Sequence, residues 1–165
     1  MTPRDLVLTP RGIRFMGRYF PCSVGRGGVT RDKREGDGAT PAGVHRITGL
    51  YYRPDRMRCP NHWARPVRLF DLWSDDPADP ARYNRLVRAP YPHSHETLRR
   101  ADPLYDMVLI TDWNRGNPVP GRGSAIFVHV WRAPGYPTAG CVALAKPGLA
   151  WIARRITPGT RLIIG

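Results

Sequence analysis

The chain is poor in several things, and each shortage removes a class of protein. No run approaches the ~20 apolar residues of a membrane-spanning helix. Met1-Thr2-Pro3-Arg4-Asp5-Leu6 opens without the basic-then-apolar pattern of a secretory leader, which is compatible with a cytoplasmic chain, a leader already removed or another export route. There are only three cysteines, Cys22, Cys59 and Cys141. At least one thiol is therefore unpaired; Cys22 and Cys59 are expected to be unpaired structural residues, with a disulfide between them the alternative for an exported chain. No heptad or internal repeat recurs. Acidic residues are scarce, 13 against 26 basic ones, which leaves a net charge of +13. Most of that charge is arginine, whose planar fork suits carboxylates and phosphates. Charge alone fits nucleic acid, anionic wall material, acidic lipid or a solvated surface.

What is present points to a β protein. A chain of 165 residues with 41% hydrophobic residues is expected to form one domain, residues 1–165, with a real core. Its 17 glycines and 18 prolines argue for short strands and many turns rather than a helical bundle. Leu6-Val7-Leu8 and Ile13-Arg14-Phe15-Met16 read as a hairpin, and Arg18 to Val24 as a further strand. Residues 31–43 read as a polar, glycine-punctuated loop, and 44–52 as a strand. Residues 53–105, interrupted by eight prolines, read as an irregular cover over a sheet face or groove wall. Strands follow at 105–110, 125–131 and 161–164. Leu149, Ile152, Ala153 and Ile156 fall on one helix face after Pro147.

One pair of residues offers covalent chemistry. His129 sits in the apolar run Ala125-Ile126-Phe127-Val128-His129-Val130-Trp131, and Cys141 in the small-residue turn Thr138-Ala139-Gly140-Cys141. A thiol is a nucleophile only as its thiolate, which a nearby histidine or a helix N-terminus promotes. Gly140 permits a sharp turn, and the Gly140 and Cys141 amides are placed to hold an oxyanion. The opposing reading is a buried, inert cysteine and a hydrogen-bonded core histidine.

His129 followed by Thr138-x-Gly140-Cys141 resembles the active-site motif of the YkuD family of L,D-transpeptidases. Gly38-Ala39-Thr40-Pro41-Ala42-Gly43 is similar to that family's early Thr-Pro-x-Gly turn. The resemblance spans about residues 25–165. It implies a mainly β fold, a curved sandwich-like sheet with a few short helices. It implies Cys141 as nucleophile, His129 as base and acid, a main-chain oxygen at Val130 or its neighbours orienting the histidine, and the Gly140 amide in the oxyanion site. The substrates implied are peptidoglycan stem peptides as donor and acceptor, joined through a thioester, at a periplasmic or wall-facing location. No cofactor, metal or nucleic acid is implied. Three departures stand out: Ala139 where the family often has His, Ala143 where it often has Arg or Asn, and a short His-to-Cys spacing. An arginine for substrate carboxylates must then come from elsewhere, and Arg132 and Arg122 are the nearest. Thr138, Trp131 and Tyr83 complete the expected substrate contacts.

Two rivals remain on the sequence. Water as acceptor gives an L,D-carboxypeptidase, and a basic binding module for wall or nucleic acid needs no catalysis. His93-Ser94-His95-Glu96 reads as structural or groove-lining rather than as a metal corner, and Cys59-Pro60-Asn61-His62 lacks the second ligand pair of a zinc site.

Overall fold

The computed structural model describes residues 1–165 and is mainly β, with one helix. The N-terminal hairpin pairs β1 (Leu6–Thr9) with β2 (Gly12–Phe15), and β2 pairs in turn with β3 (Arg18–Phe20). Pro21 then ends β3, and β4 (Cys22–Ser23) starts immediately after it. The expected single strand over 18–24 is therefore two strands, because proline has no N–H to continue the ladder.

That break shapes the molecule. The main sheet adds β7 (Gly43–Tyr52), β12 (Met107–Thr111), β13 (Phe127–Val130), β14 (Val142–Leu144) and β15 (Arg161–Ile164). Its order is β3-β2-β1-β15-β7-β12-β13-β14-β4. The two ends of this path, β3 and β4, are one residue apart in the chain. A sheet of this width can meet that constraint only by curling until its edges approach one another.

Residues 29–41 carry β5 (Val29–Thr30) and β6 (Thr40–Pro41), a short parallel pair. The region over 53–105 is more regular than its prolines suggest. After the short β8 (Arg65–Pro66) it forms a second sheet from β9 (Asp71–Ser74), β10 (Leu86–Arg88) and β11 (His95–Thr97), in the order β10-β9-β11. Each strand is too short to show an alternation in sequence, and the prolines fall in the connections.

Strand alternation divides the interior in two. Met107, Leu109, Val128, Val130, Val142 and Leu144 face the larger core. The helix α1 (Lys146–Ala153) closes that side with Leu149, Ile152 and Ala153, and Pro147 stands in its first turn. Val108, Ile110 and Phe127 point to the opposite face, where Val67, Trp73, Leu98 and Tyr105 of the 53–105 region cover them. The central strands β12 and β13 are buried on both faces.

Candidate active site

In β13, Val128 and Val130 point into the larger core, so Phe127 and His129 must point the other way. The parallel neighbour β14 repeats the pattern. Val128 is level with Val142 and His129 with Ala143, so Cys141 and Ala143 share the face of His129. Cys141 is level with Phe127, a diagonal of roughly 8 Å from His129 between Cα positions, within the joint reach of a thiol and an imidazole. Helix α1, although it follows Cys141 by only a few residues, packs on the other face of the sheet, so its N-terminus belongs to the opposite side from the thiol.

The turn before Cys141 is held by side chains. The Thr138 hydroxyl accepts the Gly140 N–H at 3.1 Å and donates to the Cys141 carbonyl at 2.6 Å. Gly140 has φ of +141°, and a Cβ there would stand 2.9 Å from the Ala39 carbonyl oxygen. The two glycine-containing motifs of the sequence therefore meet in space. Thr40, fully buried, accepts the Gly25 N–H at 2.8 Å and directs its hydroxyl to the Cys141 carbonyl, 3.5 Å away. Gly25 in turn bridges to Thr138.

The Cys141 thiol donates to the Ala125 carbonyl at 3.1 Å, and its sulfur accepts the Phe127 N–H at 3.3 Å. Ala125 has a φ of +50°, a left-handed conformation uncommon outside glycine. Asn84 holds it there by accepting the Ala125 N–H at 3.0 Å. Asn84 also accepts from Trp73 Nε1 and donates to the carbonyls of Trp113 and Asn114, so all its polar capacity is used. The Cys141 N–H has no acceptor within the protein.

His129 Nδ1 lies 2.8 Å from the Val130 carbonyl oxygen. A carbonyl only accepts, so Nδ1 carries the proton and Nε2 keeps a free lone pair. Burial lowers the His129 pKa from 6.5 to about 4, against the opposing pull of the Val130 carbonyl. Burial likewise pushes the Cys141 thiol up from 9.0 to about 12, although the Phe127 N–H favours the thiolate. The resting pair is neutral thiol and neutral imidazole. The Tyr105 ring stands edge-on to the imidazole, 5.3 Å between centroids.

Cys141 and His129 open into one cleft of about 260 Å³. Both glutamates of the chain, Glu35 and Glu96, line it, with Asp75, Arg100 and Arg132. Glu35 accepts hydrogen bonds from Tyr83 and Ser124. Glu96 lies 3.7 Å from Arg100 and accepts from Tyr105 at 3.4 Å. Burial raises its pKa, Arg100 lowers it and Asp75 raises it further. Asp75 Oδ1 is buried without a partner. Arg132 lies over the Tyr136 ring at 4.9 Å.

Of the expected substrate contacts, Thr138 and Arg132 line the cleft. Three expectations need correction. Tyr83 is fully buried and reaches the site only through Glu35. Arg122 is exposed and lies over Trp113, 5.9 Å from the ring centroid. Trp131 falls outside the cleft; it lies just past the end of β13, where the alternation that aims His129 no longer applies. Glu96, in the stretch that reads as structural or groove-lining, reaches the cleft from β11, and Arg100, which carries no signal in the sequence, reaches it from the segment after that strand.

The geometry accords with a sequence comparison. The family profile for the YkuD L,D-transpeptidase catalytic domain matches residues 7–164. The chain belongs to the YkuD family. No curated protein and no solved structure matches it. The YkuD assignment covers nearly the whole chain and makes peptidoglycan the family-level substrate. Within this YkuD domain Ala143 is buried beside His129, and positive charge enters the cleft from Arg100 and Arg132 instead.

Proposed function

We propose that the chain is a peptidoglycan L,D-transpeptidase that works through a Cys141 thioester. The observation that carries this reading is the placement of Cys141 and His129 on one face of the β13–β14 pair, with the His129 proton held on Nδ1 by the Val130 carbonyl. Nε2 is then the base that the thiol requires.

In the proposed sequence, a stem peptide enters with its scissile carbonyl at Cys141. The thiol proton passes to His129 Nε2 as sulfur bonds to the carbonyl carbon. Negative charge gathers on the carbonyl oxygen, where the unoccupied Cys141 N–H is the donor at hand. The Gly140 N–H, already bonded to Thr138, contributes by turning from that hydroxyl. The carbon–nitrogen bond breaks, the departing amine takes the proton from His129, and a terminal D-amino acid leaves. An amine of a second stem peptide attacks the thioester and loses its proton to His129. A new amide forms and the Cys141 thiol returns. The neutral resting pair means that proton transfer accompanies attack rather than preceding it.

The cleft wall supports stem peptides as the ligand class. Glu35, Asp75 and Glu96 suit an ammonium, and Arg100 and Arg132 suit a carboxylate. A stem peptide offers both, a carboxylate at its C-terminus and a side-chain amine as the acyl acceptor.

Incubation with purified muropeptides, read by mass spectrometry, tests the reading. Dimers that vanish with Cys141→Ala and fall by at least 100-fold with His129→Ala are expected. Shortened monomers alone would assign hydrolysis in place of transfer. No change across stem peptides of several lengths would overturn both. A carbapenem, an inhibitor class implied by the family, is expected to leave a covalent adduct on the native chain and none on Cys141→Ala.

A further inference from the structure

Away from the cleft, the connection from β8 to β9 closes in a tight turn. Asp71 Oδ2 accepts the Arg68 N–H at 2.8 Å, and the Asp71 N–H returns to the Arg68 carbonyl at 3.3 Å. The two central residues of this turn are Leu69 and Phe70, 65% and 59% exposed. Such positions ordinarily go to Gly, Asn, Asp, Ser or Pro. Neither side chain packs on either core. A rigid tip thus holds two large apolar side chains in water.

The surface beside the tip is basic. Arg65, Arg68 and Arg88 line one groove with Tyr51 and Leu86. The surface continues along β10, the edge of the second sheet, to Arg85 and Arg82. Arg65, Arg68, Arg82 and Arg85 form no ion pair. The one acid in the groove, Asp71, is buried, holds the turn through one oxygen, and meets Arg88 at 3.7 Å through the other. Leu86 adds a third exposed apolar side chain, at 39%.

We propose that this face docks on an anionic lipid bilayer, with Leu69 and Phe70 inserted at the headgroup boundary and the arginines against lipid phosphates. Exposed apolar residues ringed by arginine match a surface that is apolar just beneath an anionic layer. A nucleic acid or an anionic glycan would engage the arginines and leave the Leu-Phe tip in water. A second copy docked face to face would set arginine against arginine. The inference is independent of the chemistry at Cys141.

The test is co-sedimentation of the full chain with vesicles of equal phosphatidylglycerol and phosphatidylcholine, beside vesicles of phosphatidylcholine alone. Binding to the first, little to the second, and weakening with salt are expected. The double variant Leu69→Ser/Phe70→Ser is expected to bind at least tenfold more weakly, as is Arg65→Glu/Arg68→Glu. Both should keep the native thermal transition, since all four side chains are exposed. Absence of binding by the native chain would overturn the proposal, as would undiminished binding by the serine variant. A native dimer in light scattering that the serine variant abolishes would assign the tip to self-association and equally overturn it.

Discussion

His129 and Cys141 are each held by a backbone carbonyl, and burial keeps both uncharged even though the Val130 carbonyl by itself favours the imidazolium. The Val130 carbonyl fixes the imidazole tautomer, and the Ala125 carbonyl accepts a hydrogen bond from the thiol and so favours its protonated form. The thiol should therefore be sluggish towards simple alkylating agents despite the histidine beside it. With iodoacetamide at pH 7, Cys141 is expected to react at least tenfold more slowly than the exposed Cys59, read by peptide mass spectrometry. Faster labelling of Cys141 would show a preformed thiolate and contradict the neutral pair. The imidazole has a second consequence, for stability. Its folded pKa lies near 4 and its ordinary value at 6.5, so between them the unfolded chain binds a proton that the folded chain does not. Stability from this group is complete above pH 6.5 and declines as pH falls towards 4, by up to about 3 kcal/mol. Urea unfolding at pH 7 and pH 4.5 should show that loss in the native chain and a smaller one in His129→Gln.

At the scale of elements, turns and one asparagine decide where the chemistry stands. Asn84 joins the second sheet to the loops at 113–114 and 125, and so fixes the carbonyl to which the Cys141 thiol hydrogen-bonds. Asn84→Ala leaves one buried and three part-buried partners without a hydrogen bond and is expected to cost about 3 kcal/mol. Asn84→Asp keeps the acceptor for Trp73 and Ala125 and should cost less, measured by urea unfolding. Gly12 is a second such point. With φ of +105°, a Cβ there would stand 2.1 Å from the Phe20 carbonyl oxygen, just where the sheet path breaks at Pro21. Gly12→Ala is expected to destabilise by about 2–4 kcal/mol. These elements differ in how far the sequence displays them. His129 and Cys141 are legible because apolar residues flank them at strand spacing and a glycine marks the turn. The YkuD fold follows from the same motifs. The contacts of Asn84, Glu96 and Arg100 are not legible, since they depend on pairing among three strands of three or four residues. The break at Pro21 is visible as a proline, but its partners at opposite ends of the sheet are set by tertiary closure.

At the scale of the whole molecule, the two cores are back to back on shared strands. β12 gives Met107 and Leu109 to one core and Val108 and Ile110 to the other, and β13 divides Val128 and Val130 from Phe127 in the same way. Asp106 adds a polar tie across the boundary, pairing with Arg56 at 2.9 Å and with Lys146 of α1 at 2.6 Å. Opening either core exposes one face of the strands that the other core needs. We propose on this ground that residues 1–165 unfold as one cooperative unit, although 53–105 carries its own sheet. Native-state hydrogen exchange tests it directly. Peptides from β9–β11 and from β1, β2 and β15 should share one slowest opening free energy and one dependence on urea. If the β9–β11 amides open at a lower free energy with a smaller urea slope, the second sheet is a separate unit, and Asn84 would then release Ala125 and Glu96 leave the Cys141 cleft before the main sheet opens.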